Sequence, residues 1–178
     1  MADSNITKKA LANVLKELME EMPFAKISIS DICGKCNMNR KSFYYHFKDK
    51  YDLVNWIYDT EFIAVARKKD YNVSDGLILD IFKFLYENRV FYRKALSIEG
   101  QNSFSDHFHD MISTIIGNHL KEIVPHNSSY TFQLDFFTDA FVLATHKWIK
   151  DPYPMEPEAF MHELQCCTHY LAKIFDEL

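Results

Sequence analysis

The sequence predicts an all-α protein of about nine helices, with three short helices and a longer fourth leading into a larger helical body. Three observations predict it. Gly and Pro are scarce, at 4 and 5 of 178 residues, too few for the turns of an all-β chain. Apolar residues recur at three- and four-residue spacing along nearly the whole chain. At 48% hydrophobic and 15% aromatic, the chain also has ample material for a packed core.

The first element is read from Thr7 to about Met22, where Leu11, Leu15, Leu18 and Met22 share a face opposite Lys8, Lys9, Lys16, Glu17 and Glu20. Pro23 stops it. Ser28 caps a second helix, with Asp31 three residues on as its reciprocal partner. That helix turns Ile32, Cys33 and Cys36 inward, and Asn37 ends it because Asn tolerates the left-handed backbone of a tight turn. Asn39 caps a third helix, Arg40 to Phe47. Asp49 and Asp52 open a fourth, running to about residue 68, with Leu53, Trp56, Ile57 and Phe62 on one face. The boundary of the two units is placed at Asp70-Tyr71-Asn72-Val73-Ser74-Asp75-Gly76. The units are then 1–50 and 70–178, linked by the fourth helix over 49–68. Beyond it, helices are expected over about 77–88, 90–97, 104–124, 130–150 and 156–176. Their breaks fall at Gly100-Gln101-Asn102, Pro125-His126-Asn127-Ser128 and Pro152-Tyr153-Pro154.

Charge divides unevenly. Residues 1–70 hold 12 Lys and Arg against 10 Asp and Glu, whereas residues 71–178 hold 8 against 15, within an overall net charge of −5. Lys35, Arg40, Lys41, Lys48 and Lys50 face only Asp49 within residues 35–50, which makes a small basic face on an acidic body. Such a face responds to phosphate through local potential rather than net charge. On a helix opening at Arg40, Phe43 and Phe47 lie four apart and anchor to a core. Arg40, Lys41, Tyr44, Tyr45 and His46 project outward or sideways. Two tyrosines beside two cations waste apolar surface unless a partner covers them, and the DNA major groove admits such a helix. The alternative is an amphipathic helix with an unusually aromatic surface.

The stretch from Ile29 to Leu53 resembles the helix-turn-helix DNA-binding domain of the TetR family. The resemblance is carried by Asp31-Ile32 opening helix two, the small Cys33 after it, and the turn at Asn37-Met38. Phe43-Tyr44-Tyr45-His46-Phe47 matches the recognition helix, and Lys50-Tyr51-Asp52-Leu53 the start of helix four. It covers about residues 7–60. Asn37 replaces the usual Gly, Met38 the usual Val and Phe43 the usual Leu, each keeping its role as turn, plug or anchor. By that resemblance Arg40, Lys41, Ser42, Tyr44, Tyr45 and His46 face DNA, and Lys50 contacts a phosphate. Ser28 or Ser30 touches a phosphate at the start of helix two, and Asn39 and Lys48 complete the expected surface. Tyr86 to Leu96 and Phe137 to Trp148 resemble a C-terminal domain found in TetR-type regulators of Gram-positive bacteria.

The resemblance implies a homodimer through the last two helices, with Phe136, Ala140, Leu143, Ala144 and Lys147 forming the paired stripe. It implies a repressor of a pseudo-palindromic operator, released by a small-molecule or protein effector. An effector pocket is expected among Phe82, Phe91, Tyr92, Phe104, Phe108, Phe136, Phe137 and Phe141. Eighteen of the 27 aromatics lie beyond residue 70, and a core alone accounts for many of them.

Competing chemistries are weaker. Cys33-Gly34-Lys35-Cys36 is a CxxC, but no strand precedes it and both thiols fall where small apolar residues belong. His162, Cys166 and His169 stand at i, i+4 and i+7, with Cys167 adjacent, and read first as an ordinary interface stripe. No phosphate-cradling loop or catalytic order appears, so neither an enzyme, a cofactor nor a metal is expected. No apolar run reaches the ~20 residues of a membrane span, and no secretion signal opens the chain, which points to a cytoplasmic protein with reduced cysteines. The remaining alternatives are a helical protein-interaction module, a partner-dependent activator and, more distantly, a thiol or zinc enzyme.

Overall fold

The computed structural model describes residues 2–66, 76–98, 103–123 and 129–176. Every regular element among them is helical: α1 (Ala2–Glu21), α2 (Ile29–Lys35), α3 (Arg40–His46), α4 (Lys50–Ala66), α5 (Gly76–Glu87), α6 (Arg89–Ala95), α7 (Phe104–Ile123), α8 (Tyr130–Lys150) and α9 (Pro157–Asp176). A short 3₁₀ turn, Phe24–Lys26, lies between α1 and α2. The expected boundary at residues 70–75 and the breaks at residues 100–102 and 125–128 fall outside the described residues, as does the side chain of Phe62.

Local chemistry explains how the first three helices start and stop. Pro23 cannot continue α1, and Phe24 is drawn into the core by the 3₁₀ turn that follows. Ser28 and Asp31 form a reciprocal box: the Asp31 N–H donates to Ser28 Oγ at 3.2 Å, and the Ser28 N–H donates to Asp31 Oδ2 at 2.8 Å. Ser28 Oγ also donates to Asp31 Oδ2 at 2.7 Å, and this bond, with that of the Ser28 N–H, holds the Asp31 carboxyl below its ordinary pKa. Asn37 adopts φ 51°. That left-handed step lets the N–H groups of Asn37 and Met38 turn back onto the carbonyls of Gly34 (3.2 Å) and Cys33 (2.9 Å), closing α2 as a Schellman turn. At α4 the N–H groups of Tyr51 and Asp52 both donate to Asp49 Oδ1 at 2.8 Å.

The N-terminal core collects Leu11, Leu15, Leu18 and Met19 from α1, Ile32 and Cys33 from α2, Phe43 and Phe47 around α3, and Leu53 and Ile57 from α4. Helix α4 departs from the single apolar face read in its sequence. Val54 and Tyr58 are also buried, so the helix is covered on more than one side. Tyr58, with no exposed surface, lies nearest Phe104, at 5.1 Å between ring centroids; those of Phe84, Tyr92, His107 and Phe108 stand at 6.0, 5.7, 6.3 and 6.1 Å. Its hydroxyl donates to Met111 Sδ at 3.2 Å. Desolvation pushes its pKa well above the ordinary value.

Lys94 and His107 tie the body to α1 and α4, and Arg93 ties the body to itself. The Lys94 ammonium donates to the carbonyls of Met19 and of Glu20 (3.2 Å) at the end of α1. The neighbouring Arg93 donates to the carbonyls of Ile149 (3.1 Å) and Asp151 (2.6 Å) at the end of α8. Both cations satisfy carbonyls that a helix terminus leaves open. His107 Nε2 meets Asp59 Oδ1 at 2.7 Å, which raises the His107 pKa and binds α7 to α4.

In the body, α7 and α8 run antiparallel, with His146 Nε2 and Ser105 Oγ, Asp139 and His109, and Tyr130 and Gly117 meeting in that order along the pair. Trp148 stacks on Phe160 at 4.5 Å and donates from Nε1 to the Met155 carbonyl at 2.8 Å, which fixes the α8–α9 turn. Replacing Tyr58 by Ala removes the ring that five aromatic neighbours contact. We expect a loss of about 3–5 kcal/mol in unfolding free energy, measured by urea denaturation with head and body probes.

Candidate nucleic-acid interface

Helix α3 is held from below by Phe43 and Phe47, both buried and 5.7 Å apart between ring centroids. Phe47 packs edge-on against Trp56 of α4 at 5.6 Å, and the Lys8 ammonium lies over both rings. The opposite face is open. Tyr45 is 83% exposed and Tyr44 50%, while Arg40 and Lys41 are also exposed. The Arg40 guanidinium donates to Tyr44 Oη at 3.3 Å and lies over that ring, so two outward groups are pre-arranged as a pair. Tyr45 stands edge-on to His46 at 4.9 Å. An open cleft of about 420 Å³ runs beside the helix, lined by Thr7, Met38, Asn39, Lys41, Ser42, Tyr45 and His46.

Several expected contacts are brought to this surface, and others have prior duties. Asn39 Oδ1 accepts from the Ser42 N–H at 2.8 Å and from Ser42 Oγ at 3.2 Å, so both residues are occupied in capping α3. Ser28 is committed to its box with Asp31, whereas Ser30 is exposed in the first turn of α2. Lys48 is exposed beside the start of α4, where its N–H donates to Asp52 Oδ2 at 2.9 Å.

Lys50, expected at a phosphate, has partners within the chain: its ammonium donates to the carbonyls of Phe24 (2.8 Å) and Ile27 (2.7 Å), with Ala25 at 3.4 Å. It also lies 4.4 Å from the Phe24 ring centroid, and burial lowers its pKa. The carbonyls belong to the 3₁₀ turn, which the sequence reading did not foresee. Lys50 therefore ties α4 to the segment that enters α2.

The CxxC is a packing element. Cys33 is buried, Cys36 half-buried and donating toward the Ala10 carbonyl at 3.6 Å, and desolvation raises both thiol pKa values. Raised thiols are poor nucleophiles.

Most of the eight aromatics expected around an effector pack against other rings among the described residues. Phe82 stacks on Phe141 at 5.4 Å and packs edge-on against Phe160 at 4.8 Å. Tyr92, Phe104 and Phe108 crowd Tyr58, while Phe136 and Phe137 sit on the outer face of α8. Phe91 borders a shallow cleft of about 270 Å³ shared with Lys16, Met19 and Asn88. A larger groove, about 630 Å³, opens where the units meet, between Met22, Pro23, Phe24 and Tyr51 on one side and Arg93, Lys94 and Ile98 on the other. Phe82, Tyr92, Phe104 and Phe108 are buried against other rings, an arrangement that edge-to-face packing favours in itself.

Residues 13–57 match the model of bacterial regulatory proteins of the tetR family, and residues 73–169 match that of a transcriptional regulator C-terminal region. The chain belongs to the TetR family. This TetR-family regulator is 32% identical over 100 residues to the HTH-type dhaKLM operon transcriptional activator DhaS of Lactococcus lactis subsp. lactis (strain IL1403). The match takes in 56% of this chain and about half, 54%, of the relative's length. The solved structure of a dihydroxyacetone kinase operon activator DhaS shares the fold with a TM-score of 0.63 at 23% identity, covering 95% of this chain and 97% of that one. A TetR transcriptional regulator from Streptococcus agalactiae 2603V superposes with a TM-score of 0.70 at 20% identity, covering 91% and 93%. Among the described residues of the regulator no helix is long and apolar enough to cross a membrane.

The two kinds of lysine separate experimentally. Lys50→Met should cost about 1–3 kcal/mol of stability, the range for a lost bond to a charged group, and leave the salt dependence of DNA binding unchanged. Lys41→Ala or Lys48→Ala should leave stability unchanged and lower the slope of log affinity against log salt by about 1. A slope change for Lys50→Met equal to theirs would return Lys50 to the phosphate surface.

Proposed function

We propose that the protein binds a pseudo-palindromic operator as a homodimer, inserting α3 of each protomer into the major groove. The observation that carries this reading is the outward face of α3, where the Arg40–Tyr44 pair and the 83%-exposed Tyr45 stand on a helix anchored by two buried phenylalanines. Arg offers two parallel donors to a guanine edge, and Tyr a hydroxyl for phosphate with a ring for thymine methyls. Arg40, Lys41, Tyr44, Tyr45 and His46 read or flank bases, Ser30 and Lys48 meet the backbone, and Asn39 and Ser42 hold the helix start in shape.

Dimerisation is supported by α8. Phe132, Phe136, Phe137, Ala140, Leu143 and Lys147 are all exposed along it, a length of apolar surface that a lone chain leaves wet. A two-fold interface repeats one patch on both subunits, and two half-sites then add their binding energies.

Effector and sign of regulation belong to the same reading. The relative that shares sequence is named an activator of an operon, and the aromatic core is filled by its own side chains. Together these favour partner-dependent activation over release of a repressor by a small molecule held in that core.

The test uses the DNA upstream of the protein's own gene, against a scrambled duplex of equal length. Tyr44→Ala and Arg40→Ala should each weaken specific binding by about 1–3 kcal/mol with little effect on the scrambled duplex. Leu143→Glu should convert a sedimenting dimer into a monomer and abolish specific binding. Parent-like binding by all three variants would overturn the reading.

A further inference from the structure

His162 Nε2 and Cys166 Sγ lie 3.5 Å apart on α9. A tetrahedral zinc ion with a thiolate at ~2.3 Å and an imidazole nitrogen at ~2.0 Å separates those two donors by ~3.5 Å, so the pair already spans one edge of such a site. The i, i+4 spacing produces the approach, since residues four apart are neighbours on a helix surface. Phe160, Met161 and Leu164 pack α9 onto the core, and His162 is exposed on the far side of the helix from them. Among the described residues no third His, Cys, Asp or Glu joins the two within one chain. One protomer thus offers half a coordination shell, and it is offered outward.

We infer that His162 and Cys166 of two protomers together bind one zinc-like divalent cation between the paired α9 helices. The inference rests on the homodimer proposed above, and it assigns to that interface a ligand set that the apolar stripe of α8 does not require. A two-fold axis beside His162 and Cys166 brings two His–Cys pairs together and completes a closed Cys₂His₂ shell with no open position. Such a site holds a structure rather than activates water. Binding takes each Cys166 thiol to the thiolate and releases its proton to solvent, so two protons leave per ion and affinity rises with pH. His162 binds as the neutral ring. Cys167 lies one step round the helix and His169 a turn further on, where its ring packs edge-on to Tyr170 at 5.8 Å; neither belongs to the shell. Because the ion joins the two C-terminal helices, it fixes how the protomers are set against each other, and with that the separation of the two α3 helices.

The probe is cobalt(II), added to the full-length, reduced, metal-free protein and followed by its absorption, with zinc as competitor. Saturation at one cobalt per two chains is expected, with a thiolate-to-cobalt charge-transfer band and displacement by zinc. His162→Ala and Cys166→Ser, both surface changes, should each abolish the band while Cys167→Ser retains it. Zinc should raise the melting temperature of the parent and of Cys167→Ser and leave the other two variants unmoved. A dimer that binds no cobalt, binds one per chain, or keeps its band in Cys166→Ser overturns the metal site and leaves the homodimer standing. A protein that sediments as a monomer with and without zinc overturns both.

Discussion

The burial of Tyr58 among the rings of Phe84, Tyr92, Phe104, His107 and Phe108 is the contact on which the rest of the molecule depends. It lies on α4, the helix that packs against the end of α3 through Trp56 and against the body through Tyr58. Tyr58 meets residues of α5, α6 and α7, whereas Leu53 and Ile57 of the same helix belong to the N-terminal core. The buried residues of the two units form one continuous cluster, and α4 contributes to both parts of it. Close packing makes the coupling stiff, because a ring with no exposed surface has no slack in which to tilt.

The other ties act in parallel with that ring. Lys50 fastens the start of α4 to the carbonyls before α2, and Lys94 fastens α6 to the carbonyls that end α1. His107 and Asp59 bind α7 to the middle of α4. Side chains already in contact thus join α6 to α1, α7 to α4, and α4 to the end of α3 through Trp56 and Phe47. The groove of about 630 Å³ between Tyr51 and Ile98 lies on that route, bordered by Lys94 itself. Under the function proposed above, regulation needs a difference in affinity between two settings of the two α3 helices, and a link of this kind is where such a difference would be transmitted.

What the sequence made legible was local. The Ser28–Asp31 box, the left-handed Asn37 and the Asn39 cap are written in three or four adjacent residues, and each appears in the structure as its chemistry requires. Phe43 and Phe47 were legible as anchors from their spacing, and the outward tyrosines from what was left over. The missed features depend on partners far along the chain. Lys50 reads as one more cation in a basic stretch until Phe24 and Ile27, more than twenty residues earlier, present their carbonyls. Tyr58 gives no periodic signal because α4 is apolar on more than one side. The aromatic residues of the body were read as pocket or core, and only their ring-to-ring distances separate the two.

Native-state hydrogen exchange tests the coupling through α4 most directly. The slowest amides of α2 and α3 and those of α6 and α7 should open with the same free energy and the same denaturant dependence, and Tyr58→Leu should lower both sets together. Head amides that open at a lower free energy than the body, and that ignore Tyr58→Leu, would contradict the account.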